Sequence, residues 1–334
     1  MDAITYGGPL AAVADEVAGA EARGYDGWFV GEVGHDPVLA CALAAEHTER
    51  MEIGTAIAVA FPRSPMHLAY QAHDLQALAR GRFVLGLGSQ IKAHVEKRYS
   101  ATWSAPAARM REFVLAMRAI WDAWATGERL RFEGEHYRHT LMTPFFTPDA
   151  HGFGHPKVWL AAFGPRMTAV AGEVTDGLLC HAFTTPRYLR EVTLPALAEG
   201  TAAAGRDRAE LEVSLPVFLV TGRDERERDE VAEVVRGQLA FYGSTPAYRG
   251  VLELHGWGEL HEELHARSLR GEWAAMSALI DDEVLDTFAV VAEPDRVGAA
   301  IRDRYGDHVD RVSLNTSFTF DDDGWRRLVT ELAR

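Results

Sequence analysis

The sequence predicts a (β/α)8 TIM barrel: one domain over residues 1–334, with a hairpin and loop insertion at 126–156 and a mainly helical insertion at 243–290. Two observations carry this. Eight short apolar runs of strand length alternate, nearly throughout, with segments of helical periodicity, the pattern of parallel strands with helices outside. The glycine fingerprint of an open dinucleotide-binding sheet is incomplete, because Gly86-Leu87-Gly88 runs into Ser89-Gln90-Ile91 with no third glycine. Eight βα units in a chain of this length therefore favour a closed barrel over a doubly wound sheet.

Each element has a local reason. Asp2 to Tyr6 is a short first strand, and Leu10 to Arg23 is a helix that stops at Gly24. A second strand, Asp26 to Gly31, leads through Glu32-Val33-Gly34-His35 to Asp36-Pro37, a cap and a first-turn proline that open the next helix. Gly54-Thr55-Ala56-Ile57-Ala58-Val59-Ala60 is a small-residue strand ended by Phe61-Pro62, and Ser64-Pro65 starts the third helix. Its run of alanines leaves room for something flat to approach the backbone. Arg82 to Gly88 is the fourth strand, and a long amphipathic helix covers about Ala105 to Ala125. Past the hairpin at 130–137, strands at 158–163, 176–183, 211–220 and 309–315 alternate with helices at 166–174, 188–204, 226–241, 295–304 and 323–332.

The totals exclude several classes of function. A formal charge of −15 argues against nucleic acid or an acidic membrane as partner, and no run reaches the ~20 apolar residues of a membrane span. Two cysteines in apolar surroundings, Cys41 and Cys180, exclude a disulfide framework and point to a reducing cytoplasm. The N-terminus lacks the layout of a signal peptide. A small-molecule substrate is the remaining expectation.

A barrel works at the C-terminal ends of its strands. There the sequence places Glu32, His35 and Asp36 after strand two, and Gly88, Ser89 and Gln90 after strand four. Gly164, Pro165 and Arg166 follow strand five, and His181 and Thr184 follow strand six. Glu32 and His35 are residue types that handle protons. The two glycine-bearing strand-to-helix turns suit a phosphate, which backbone N–H groups and a helix N-terminus would face. Each residue also has a plain structural role open to it: a paired carboxylate, a helix cap, a tight turn.

With these strand ends in view, the chain resembles the luciferase-like monooxygenase superfamily, in its branch dependent on the deazaflavin coenzyme F420. The resemblance rests on Glu21-Ala22-Arg23-Gly24-Tyr25-Asp26, Gly54-Thr55-Ala56-Ile57, Gly81-Arg82-Phe83-Val84-Leu85-Gly86-Leu87-Gly88-Ser89, Ala161-Ala162-Phe163-Gly164-Pro165 and Asp176-Gly177-Leu178. It implies a bulge in strand three, often with a non-proline cis peptide, at Ala56-Ile57-Ala58, supporting the coenzyme's ring. It implies that Gly88-Ser89-Gln90 and Phe163-Gly164-Pro165-Arg166 hold the phosphate-bearing tail. Glu32 falls near the reacting face. A homodimer and a reversible hydride transfer to an organic substrate are implied as well. Sugar-phosphate dehydrogenases of the family have a histidine where Val33 stands, a glutamate at Ile91 and a lysine at Thr184. Those departures disfavour a sugar phosphate and leave His35 and His181 as substitute proton donors.

Three rival readings remain in the sequence. An FMN-dependent monooxygenase would use the same ring supports, and a barrel that binds the coenzyme without turnover would serve as carrier or sensor. His261-Glu262-Glu263-Leu264-His265 matches the H-E-x-x-H pattern of zinc peptidases. That motif lies in the helical insertion, off the barrel strands, so no resident metal is expected.

Overall fold

The computed structural model describes residues 1–332; residues 333 and 334 of the predicted domain lie outside the described residues. The chain resolves into two compact units. The larger comprises residues 2–179 and 196–212; the smaller comprises Met1, residues 180–195 and residues from 213 onward.

In the larger unit the strands β1 (Asp2–Thr5), β2 (Gly27–Val30), β3 (Glu52–Thr55), β4 (Ala58–Val59) and β5 (Phe83–Gly88) form parallel pairs, and an antiparallel hairpin joins β6 (Phe132–Glu133) to β7 (Arg138–His139). Parallel pairing continues from β5 to β8 (Lys157–Ala161) and then β9 (Gly177–Leu179). Around them lie α1 (Val13–Arg23), α2 (Pro37–Glu46), α3 (Pro65–Leu78), α4 (Lys92–Lys97), α5 (Pro106–Thr126) and α6 (Pro165–Val174). The expected signals set the helix ends. The Asp36 side chain accepts the Val38 N–H, Ser64 accepts the His67 N–H, and Gly24 closes α1 with a φ of 90°.

Next comes α7 (Pro186–Tyr188), which passes through a π turn, Leu189–Thr193, into α8 (Leu194–Ala203). In the smaller unit β10 (Glu212–Val220) pairs in parallel with both β11 (Val290–Val291) and β12 (Arg311–Asn315). Its helices are α9 (Glu225–Gly243), α10 (Arg249–Leu254), α11 (Gly258–Arg270), α12 (Trp273–Ser277), α13 (Asp282–Phe288), α14 (Val297–Tyr305) and α15 (Asp322–Leu332). The stretch read as a helical insertion is α10 to α13.

Several details depart from the sequence reading. Helix α4 carries no apolar stripe that periodicity can detect and buries only Val95. Strand six, expected over 176–183, ends at Leu179; the Cys180 N–H still donates to the Ser214 carbonyl, and the chain turns where the Thr184 N–H donates to the Ala182 carbonyl. The hairpin turn spans 134–137 rather than sitting within a regular alternation. The pair Val290–Val291 is too short for pattern to mark as a strand.

Candidate functional site

The third strand explains the most. From Gly54 to Ala58 it takes four steps while its partner β5 takes three, from Val84 to Leu87. One extra residue is therefore inserted: a β-bulge at Ala56-Ile57, where the peptide bond is cis. Two glycines of β5 admit it. A Cβ on Gly86 would stand 1.8 Å from the Thr55 carbonyl oxygen, and one on Gly88 would stand 2.7 Å from Ile57 Cδ1. The Thr55 hydroxyl, in turn, donates to the Gly86 carbonyl at 2.7 Å. The Gly-Leu-Gly run that reads as a phosphate turn is thus first a seat for the bulge.

Behind the bulge Phe29 and Trp159 stack at 5.2 Å, packed with Val84 and Leu179. On this core rest the partly buried Ile4, Ala56, Ile57 and Ala161. The result is an apolar shelf at the ends of the strands.

Glu32 holds the bulge in place. Its backbone N–H donates to the Ile57 carbonyl at 3.1 Å, and its Oε2 accepts the Val59 N–H at 2.7 Å. Arg63 Nη1 donates to the same oxygen at 2.7 Å, and the Tyr99 hydroxyl donates to Oε1 at 3.0 Å. Arg63 also donates to the Val59 carbonyl and to Asp36. The Arg63 and Glu32 side chains are 16% and 8% exposed. Burial would lower the Arg63 guanidinium, but its hydrogen bonds and charge pairing with Glu32 and Asp36 hold it above its ordinary value. With three donors on it, the Glu32 carboxylate is occupied in fixing backbone. His35 is exposed in the loop before α2 and takes part in no hydrogen bond among the described residues.

A second feature lies beyond β8. The N-terminal turns of α5 and α6 line one cleft of about 660 Å³, formed by Ala105–Ala108 and by Gly164, Pro165, Arg166 and Met167. The cleft surface is largely apolar, and no side chain caps the two helix starts that border it. Arg166 is exposed and forms no ion pair among the described residues. The Gly164 turn was legible in the sequence; its partner, the start of α5, was predicted as a helix end but not as part of a site.

Two arginines near these turns, Arg98 and Arg109, are engaged by other groups. Arg98 donates to the Val33 carbonyl. Arg109 donates to the Thr102 and Phe61 carbonyls and the Tyr137 hydroxyl, with its guanidinium over the Phe61 ring. Ser89 donates to the Gln90 carbonyl, and Gln90 adopts a left-handed φ of 59°, making the turn between β5 and α4. Phe163 is half-buried just before the Gly164 turn.

His181 belongs to the smaller unit. Its Nδ1 accepts the Phe183 N–H at 3.0 Å, and burial pushes the imidazole down to about 4, so it is neutral at pH 7.

The H-E-x-x-H motif does not make a metal centre. The rings of His261 and His265 lie nearly parallel, 12° apart, with centroids at 5.9 Å. Each turns its Nδ1 to a backbone carbonyl at the end of α9, His261 to Gly243 and His265 to Ser244. Side by side, they cap that helix instead of converging on one ion about 2.0–2.1 Å from each nitrogen. Among the described residues the one cluster close enough for a metal is Glu112, Glu135 and His136. There the Glu112 carboxylate accepts the N–H groups of residues 135, 136 and 137, which fixes the hairpin turn.

Comparison with known proteins fits this geometry. The profile of the luciferase-like monooxygenase family matches residues 2–311. The chain belongs to the luciferase-like monooxygenase family. A protein of uncharacterised function from Mycobacterium tuberculosis is 54% identical over 91% of this chain and 89% of its own. The 5,10-methylenetetrahydromethanopterin reductase of Archaeoglobus fulgidus is 28% identical over 83% of this chain and 81% of its own. Among solved structures, the coenzyme F420-dependent tetrahydromethanopterin reductase of Methanopyrus kandleri superimposes with a TM-score of 0.80 at 20% identity, over 99% of this chain and 97% of that one. The fold is the luciferase-like TIM barrel. Family membership supports an enzyme of the oxidoreductase or monooxygenase kind. Among the described residues no helix is long and apolar enough to cross a membrane.

Proposed function

We propose that this luciferase-like enzyme is a coenzyme F420-dependent oxidoreductase, transferring a hydride between the deazaflavin and a small organic substrate. The observation that carries the reading is the apolar shelf on the bulge together with the two-helix cleft. Ala161 on the shelf and Gly164 in the cleft are three residues apart, so at most ~11 Å of chain separates them. A flat ring system with a phosphodiester tail asks for that combination of surfaces.

In this reading Ala56, Ile57 and Ala58 support the ring. Gly88, Ser89 and Gln90, and Phe163, Gly164, Pro165 and Arg166, receive the tail, with Arg166 as the exposed cation. When bound, the deazaflavin gives or takes the hydride. Glu32 positions the bulge. Neutral His181 offers hydrogen bonding without a charge, and exposed His35 is the other candidate proton donor. Two buried free cysteines suit a cytoplasmic protein. Leu39 and Leu43, exposed on the otherwise apolar α2, suit a homodimer.

Fluorescence titration of the purified protein with F420 and with FMN tests the assignment. F420 should bind more tightly, and Arg166→Ala should weaken it about tenfold, the loss of one charge-assisted contact. Tighter binding of FMN would replace this reading with the monooxygenase one.

A further inference from the structure

A cavity of about 220 Å³ lies within the larger unit, between α3, α5 and the segment that leads into β8. Its lining includes His73 of α3, Trp121 and Trp124 of α5, and Pro148, His151 and His155 of that segment. Trp121 stands fifteen residues beyond Pro106, which borders the two-helix cleft, so about 22 Å of helix separates the two places. The segment is fastened to α3 here: the Tyr70 hydroxyl donates to the Phe146 carbonyl, and His73 Nε2 donates to the Asp149 carbonyl.

The walls are rings. His73 and His151 have centroids 4.2 Å apart, Trp124 meets His73 edge-on at 5.5 Å, and His155 is stacked on Trp121 at 5.8 Å and 21°. Two donors in these walls have no acceptor. Trp124 is 8% exposed, and its indole N–H has no hydrogen-bond partner among the described residues. His151 Nδ1 accepts the Phe153 N–H at 3.2 Å, which leaves the ring proton on Nε2, and that nitrogen is also buried and unpartnered. The neighbouring rings are satisfied: Trp121 donates to the Ala69 carbonyl, and His155 Nε2 lies 3.2 Å from Asp122 Oδ1. A buried N–H without an acceptor carries its full desolvation cost, which an acceptor brought by a ligand would recover.

Charge decides what kind of acceptor fits. No lysine or arginine lines the cavity among the described residues. Burial first, and then the imidazoles of His73 and His155, hold His151 below its ordinary value, so it is neutral at pH 7. The nearby full charges are carboxylates: Asp74 acts on His151, and Asp122 pairs with His155. An anion would therefore lose its hydration here with no cation to replace it.

We propose that this cavity is a second small-molecule site, which takes a planar aromatic amide whose uncharged carbonyl oxygen accepts from Trp124 Nε1 and His151 Nε2. The ring of such a ligand gains contact with the surrounding indoles and imidazoles. The cavity is smaller than the ~300–1,000 Å³ of pockets for drug-sized ligands, which limits the occupant to one or two rings. Nothing in this argument depends on the coenzyme.

The test is NMR of the full chain with ¹⁵N-labelled tryptophan, the Trp124 indole signal being assigned by its loss in Trp124→Phe. Benzamide and benzoate, alike in shape and different in charge, are titrated separately without coenzyme. Benzamide should move the Trp124 indole proton downfield and saturably, and benzoate should bind at least about tenfold more weakly. His151→Phe keeps a ring and removes a donor, and should weaken benzamide about tenfold, the loss of one hydrogen bond, while leaving F420 affinity unchanged. Should Trp124→Phe fail to fold, calorimetric titration of His151→Phe against wild type, at a half-buried position, carries the test alone. No saturable response to benzamide, tighter binding of benzoate, or undiminished benzamide affinity in His151→Phe overturns the proposal. The coenzyme assignment stands or falls separately, since the benzamide readings need no F420.

Discussion

The ends of β3 and β9 are built from opposite materials. At the bulge, charge is plentiful but already engaged: Glu32, Arg63 and Asp36 neutralise one another and fix the Ile57 and Val59 backbone. After β9 the rings pack on one another: His181 lies on Tyr248 at 4.5 Å and meets Tyr242 edge-on at 4.7 Å. A charged residue at a strand end is therefore a poor guide to what meets a ligand. What matters is whether the backbone has already claimed it.

The sharpest way to break this contrast is Glu32→Ala. It leaves a largely buried guanidinium and the Val59 N–H without their shared acceptor, and should destabilise the fold by about 3 kcal/mol in urea denaturation. Glu32→Gln keeps an oxygen acceptor and should recover much of that loss. A Gln variant as unstable as Ala would mean that charge, not geometry, does the holding.

The two bulge glycines should then separate stability from binding. Gly86→Ala sets a methyl against the Thr55 backbone carbonyl, which cannot move aside, and should cost about 3 kcal/mol. Gly88→Ala meets the Ile57 side chain, at Cδ1, Cγ1 and Cβ, and no backbone atom among its nearest neighbours. It should cost about 1 kcal/mol while displacing Ile57 from the shelf, so F420 affinity falls more than stability. Equal effects in thermal melts and in coenzyme titration would contradict this division.

For buried His181, pH is the probe. Folded His181 titrates at about 4 against an ordinary 6.5, so between those values the unfolded chain binds a proton that the folded one refuses. Its contribution is fully present above 6.5 and is lost as pH falls toward 4, at about 1.4 kcal/mol per unit. His181→Asn should flatten the decline measured by urea melts at pH 7, 6 and 5. An unchanged slope would show that His181 is protonated in the folded protein.

The smallest effect belongs to His265→Ala, which removes one capping hydrogen bond from the end of α9 and should cost about 1 kcal/mol. Metal content should be the same before and after; loss of stoichiometric zinc would revive the peptidase motif.

Much of the fold was legible because its signals are local. The caps at Asp36 and Ser64, the stop at Gly24 and the buried apolar strands each follow from a few adjacent residues. Less of the site was legible. The Gly164 turn and the small-residue strand were marked, but α4 has too few apolar positions to register, and the start of α5 joins the cleft only in three dimensions. Tyr242 and Tyr248 lie some sixty residues from His181, and no spacing rule connects them.

By itself, then, the sequence determined the alternation of strands and helices, their caps, and the run of small residues at Ala56, Ala58 and Ala60. Those are matters of backbone sterics and hydrophobic period, which neighbouring residues settle. Tertiary structure alone decided which side chains remain for chemistry. Hydrogen bonds between distant residues drew in Glu32, Arg98, Arg109, His261 and His265, and left Arg166 and His35 exposed.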